Sequence, residues 1–170
     1  EAIPGLLEIL DDNKPEVSAA QDALLRINTD EMTAAVGKAL DGHSPEGQVA
    51  ALEVLAERKA SDQSNEVFEA AGLENESVRL AALKALRDVA GTEDIERLSD
   101  LLTEATATRA VSSLKSAIVV AAEQAENPGQ AVAPVVADLK TVADARKPAF
   151  LSWAQGSVGA GAAKTPPIPP

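Results

Sequence analysis

The single histidine, His43, sits in the run DGHSPEG with Asp41 and Glu46 close by. Those are residue types from which a general base or a metal ligand is made. A lone imidazole between two helices, with no second histidine and no cysteine, lacks the partners of a zinc site or a triad, and it reads as a solvated loop residue. DDNKPEVSAAQD, from Asp11, offers oxygens at the first, third and twelfth places of a calcium loop, but Pro15 takes the fifth and Glu16 stands where glycine is required. That run reads as a charged turn before a helix. The carboxylate pairs Asp11/Asp12, Asp30/Glu31, Glu74/Glu76 and Glu93/Asp94 fall near helix starts or in turns, where acids suit the positive end of the helix dipole. NES at Asn75 fits a glycosylation sequon, but capping of the next helix is the simpler use. With no glycine-rich phosphate loop and no serine elbow, the sequence predicts a non-enzymatic protein without a cofactor or a metal.

The elements that would hold any surface follow from composition and period. The chain has 170 residues, 45% hydrophobic and 2% aromatic, so its core must come from Ala, Leu, Val and Ile, which favours an all-α fold. Residues 1–100 hold 9 basic and 22 acidic side chains against 6 and 5 in residues 101–170, a balance that speaks against nucleic-acid binding. It serves solubility, or a basic partner for the N-terminal part. No apolar run nears the ~20 residues that span a bilayer, so membrane insertion is not expected.

SAAQDAL from Ser18, VAALEVL from Val49, LAALKAL from Leu80 and VSSLKSA from Val111 are four copies at 31-residue spacing. Both middle positions stay small, and the last is Leu24, Leu55, Leu86 and Ala117. Small side chains let helix axes approach while leucine fills the space a turn later. A second helical pattern lies between the copies: Ile3/Leu6/Leu7/Leu10, Met32/Ala35/Val36/Leu40, Val67/Phe68/Ala71 and Ile95/Leu98/Leu101/Leu102. The reading is an array of helix pairs over residues 1–155, at about 1–28, 29–60, 61–91 and 92–126, closed by an irregular cap at 127–155. In that cap, helices at about 131–140 and 148–155 carry Phe150 and Trp153. Pro15 and Pro45 fit first turns, Ser44 and Asn75 fit N-caps, and Gly42 and Gly91 fit chain reversals. Residues 156–170, GSVGAGAAKTPPIPP, read as a linker or tail. With no initial Met, they suggest a piece of a larger protein with flanking domains.

ESVRLAALKAL, from Glu76, resembles the second helix of HEAT-like repeats of the phycobilisome-lyase type, in which Val-Arg precedes small residues and then Ala-Leu. PEVSAAQDAL from Pro15 matches with one residue deleted. The resemblance implies a right-handed α-α superhelix of four to five helix pairs, of a class that mostly serves as interaction scaffolds. A minority of that class assists chromophore attachment. Similar arrays occupy the middle of large secreted bacterial proteins, between a dehydrogenase-like propeller and a haem-bearing domain. The Arg after the Val is present only at Arg79, so an Arg ladder between repeats is not expected.

One surface signal follows from the repeat register. Asp22, Glu53, Lys84 and Lys115 share one position in successive second helices, opposite the Ala/Leu seam, and Arg87 lies one turn beyond Lys84. At ~10 Å between neighbouring helices, they form a column of ~30 Å that changes sign halfway. The resemblance places second helices on the concave face, so the column is expected in a groove that binds a protein partner. Beside it, Val49, Leu80 and Val111 serve packing between repeats or a greasy groove floor.

Overall fold

The computed structural model describes residues 2–11 and 16–141. Among these the chain is wholly helical apart from its turns. Helices α1 (Ala2–Leu10) and α2 (Glu16–Arg26) make the first pair, and α3 (Asp30–Ala39) and α4 (Pro45–Arg58) the second. The third is α5 (Ser64–Ala71) with α6 (Glu76–Val89), the fourth α7 (Ile95–Glu104) with α8 (Thr108–Glu123). A short α9 (Pro128–Ala131) then leads into α10 (Ala133–Thr141).

Local chemistry sets these boundaries. Thr29 Oγ1 accepts from the Met32 N–H at 3.2 Å, Ser44 Oγ from Gly47 N–H at 3.2 Å, and Asn75 Oδ1 from Ser77 and Val78 N–H at 3.0 and 3.2 Å. Each oxygen satisfies first-turn donors that have no partner inside the helix. Pro45 supplies the first residue of α4, where its missing N–H is harmless. Pro15 lies outside the described residues. The left-handed residue that ends α4 is Lys59, at φ 50°, whereas Gly91, after α6, is extended at φ −100°. The reversal after α6 therefore uses extended backbone and needs no glycine conformation.

The pairs stack in two layers. In one, α2 packs on α4, α4 on α6 and α6 on α8; in the other, α1 meets α3, α3 meets α5, and α10 packs on α7. The repeated Ala/Leu pattern is the seam between them. Ala20, Ala51 and Ala82 are all buried, and Leu24, Leu55, Leu86 and Ala117 are each 0% exposed. Residues 31 apart thus occupy equivalent sites. This is a HEAT-like α-solenoid, its core one continuous run of aliphatic side chains.

Polar links one repeat apart reinforce the stack. Arg58, in the last turn of α4, donates to Leu25 O at 3.2 Å and Asn28 Oδ1 at 2.6 Å, covering the carbonyl end of α2. Arg97 on α7 lies 3.9 Å from the Phe68 ring centroid and donates to Asn65 Oδ1 at 2.7 Å, tying α7 to α5. At the far end α10 buries Val135 and Leu139, and Ser99 Oγ donates to Asp138 Oδ2 at 3.0 Å. Phe150, Trp153, the expected helix at 148–155 and the segment 156–170 lie outside the described residues. Arg79 donates to the Leu73 and Glu74 carbonyls, both at 3.2 Å, so it braces its own turn and forms no ladder.

The seam makes a paired test possible. Ala51→Leu should destabilise the protein by ~1–3 kcal/mol through overpacking, whereas Ala19→Leu, at an exposed position one register step away, should stay within ~0.5 kcal/mol in urea unfolding.

Candidate functional site

The face built by the second helices carries the candidate residues. Asp22, Glu53 and Lys84 each follow a buried alanine by two positions, which is ~200° around a 3.6-residue helix. They are accordingly exposed, as is Arg87. Neighbouring members flank shared clefts: Asp22 and Glu53 line one between α2 and α4, and Glu53 and Lys84 line the next between α4 and α6. Lys84 also borders a third, between α6 and α8, with Arg109, Ser112 and Ser113. Among the described residues the side chains of Asp22, Lys84 and Arg87 make no hydrogen bond or ion pair. Lys115 differs, being half-buried and engaged in an interaction of its own. Val49 and Leu80 are half-buried and each borders a cleft.

Glu53 is held in place. Gln21 Nε2, on α2, donates to Glu53 Oε2 at 3.0 Å and to Ala50 O at 3.3 Å. The carboxylate that ends the acidic half of the column, next to its change of sign, is therefore oriented from the preceding repeat. Glu57, one turn on, and Asp88 on α6 join Glu53 and Lys84 around the cleft between α4 and α6. Repeat register does not mark these two, because their equivalent in α2 is Arg26 and the charge pattern breaks there.

The structure corrects the reading of His43 as a solvated loop residue. It is half-buried, and its Nδ1 lies 2.7 Å from Asp11 Oδ2, at the end of α1 in the preceding repeat. Asp11 Oδ1 in turn accepts from Ser44 N–H at 2.8 Å and from Ser44 Oγ at 3.0 Å. Partial burial pushes the Asp11 carboxyl up, but the Ser44 backbone and hydroxyl donors, then the hydrogen bond and charge of His43, outweigh it and hold it below the usual aspartate value. Asp11 thus acts as a second anion at the start of α4. The serine hydroxyl is directed to the carboxylate rather than the imidazole, so the three residues do not form a nucleophile–base relay. They are a latch between repeats one and two. Asp41 and Glu46, the sequence neighbours, are not its partners; the partner lies 32 residues upstream, one repeat away.

A protein-family profile described as HEAT repeats matches residues 33–122, more than half of the chain. The chain belongs to the HEAT-repeat family. The match runs from α3 to α8, so the cleft between α4 and α6 lies at the centre of the HEAT array. No curated protein matches the chain. No helix among the described residues is long and apolar enough to cross a membrane.

The latch makes two predictions. A Cβ on Gly47 would collide with the Asp11 carboxylate, so Gly47→Ala should break the contact with His43 and lower the melting temperature, with Asp11→Asn adding little further loss. A carboxyl lowered in the folded state contributes stability that is complete above its unfolded value of ~3.9 and fades as pH falls through the folded value. Wild type should lose this contribution below about pH 4, at most ~1 kcal/mol because Asp11 is solvent-exposed, and Asp11→Asn should lack that part of the pH dependence in unfolding measurements.

Proposed function

We propose that this chain is a non-enzymatic protein-interaction scaffold that binds through the face built by its second helices. The observation that carries the reading is the unpaired charge on that face. Asp22, Lys84 and Arg87 stand exposed and, among the described residues, without side-chain partners, and Asp22, Glu53 and Lys84, spaced 31 residues apart, border successive clefts. Charges fixed on rigid helices and left unsatisfied within the chain can set the register and orientation of a partner. Lys115, engaged within the chain, contributes field rather than a free contact. HEAT repeats are commonly interaction scaffolds, which agrees with this use.

The finer readings rest on the resemblance of residues 76–86 and 15–24 to phycobilisome-lyase-type repeats. For an accessory role in chromophore or haem handling, an absorbance shift on incubation with bilin or haem is the expected sign, and an unchanged spectrum counts against it. Flanking domains are tested by whether the reading frame continues beyond residues 1 and 170, and a frame that stops at both ends counts against them.

For the scaffold reading, Lys84→Glu combined with Arg87→Glu should weaken retention of partner proteins from source-cell extract at least tenfold. Its unfolding free energy should stay within ~0.5 kcal/mol of wild type, as expected for surface changes. A matched reversal on the other layer, Glu69→Lys with Glu96→Lys, should leave retention unchanged. Equal loss in both variants would contradict the assignment.

A further inference from the structure

We infer that the cleft between α4 and α6 is an anchor subsite for an extended protein segment carrying a basic, an apolar and an acidic side chain at alternate positions. This deepens the scaffold reading and rests on it.

The cleft encloses about 410 Å³, room for one aliphatic side chain with its flanking backbone. Its apolar lining is mostly small: Ala56 and Ala81 are half-buried, and Ala85 and Leu52 are buried. Alanines leave a hollow that the larger side chains beside them do not fill. An aliphatic group from a partner would find there the apolar surface that anchors most interfaces. The walls differ in charge. On α4, Glu53 and Glu57 lie four residues apart on one helix face, and Gln21 already orients Glu53. Lys84 faces them from α6, with Arg87 exposed one turn on. Asp88 and Lys59 also border the cleft, toward the C-terminal ends of the two helices. Among the described residues the side chains of Glu57, Lys84 and Asp88 have no hydrogen-bonding or ionic partner, so the charges across the cleft are not consumed by pairing with one another.

Geometry gives the spacing of the recognised groups. In an extended segment, side chains at alternate positions share one face, and the first and fifth lie ~13 Å apart. Neighbouring helix axes are ~10 Å apart. A segment crossing the helices can therefore set its basic group against Glu53 and Glu57, its middle aliphatic group over the alanines, and its acidic group against Lys84. The helices that make the cleft sit in the middle of the stack, supported on both sides by α2 and α8. The site is thus rigid before the partner arrives, which lowers the entropy lost on binding.

The test uses an end-capped heptapeptide with arginine, leucine and glutamate at its second, fourth and sixth positions and serine elsewhere. It is titrated to millimolar concentration against the whole ¹⁵N-labelled chain. Amide signals of Ala56, Ala81 and Ala85 should move. Replacing the leucine by serine, or making both charged positions glutamate or both arginine, should weaken binding at least threefold. Ala56→Phe, which fills the hollow, should abolish the shifts at Ala81 and Ala85. If that variant does not fold, the peptide series alone decides. Unmoved alanine signals, or equal binding by the serine-substituted peptide, would overturn the inference. If the alanines stay still while the Lys84/Arg87 reversal still releases partner proteins, the anchor subsite falls and the scaffold reading stands.

Discussion

Burial of the same small and aliphatic positions in consecutive second helices is the constraint on which the rest of this molecule depends. Ala20, Ala51 and Ala82 are buried at equivalent sites, and Leu24, Leu55 and Leu86 fill the space one turn on. Because the spacing is 31 residues at each step, whatever points away from the seam in one repeat points the same way in the next. A charged column is then a consequence of packing. The exposed groups need no contacts of their own to be placed, since buried methyl groups one face away already fix their helices.

Much of the fold was legible for that reason. Small-small pairs followed by leucine at a fixed interval leave few alternatives to stacked helix pairs, and the caps at Ser44 and Asn75 follow from local chemistry. Gly91 does lie in the reversal between α6 and α7, on extended backbone, and the left-handed residue fell at Lys59, which carries no sequence signal. The site was legible only in part. Asp22, Glu53 and Lys84 follow from register, Arg87 from helical spacing one turn past Lys84, and all four are exposed. Lys115 shares that register, yet it is half-buried and already engaged.

What register could not show is the contact between different positions of neighbouring repeats. Asp11 with His43, Arg58 with Asn28 and Arg97 with Asn65 join residues 30 to 32 apart. Each pair belongs to a single junction and recurs nowhere else in the alignment of repeats, so periodicity is silent about it. Such links distinguish one junction from the next. The first carries a carboxylate–imidazole latch, the third an arginine over an aromatic ring, and the second, between α4 and α6, presents the open alanine-lined cleft. An array of similar modules thus acquires an individual surface from its non-repeated positions.

The stacking itself can be measured directly, because the sequence has no cysteine to interfere with labelling. Spin labels at Asp22→Cys and Lys84→Cys sit on second helices two repeats apart, and pulsed dipolar spectroscopy reads the distance between them. Side-by-side helices at ~10 Å spacing place them at roughly 20–25 Å in one narrow distribution. A broad distribution, or one centred beyond about 40 Å, would mean that these helices do not form a continuous layer, and the column would not exist.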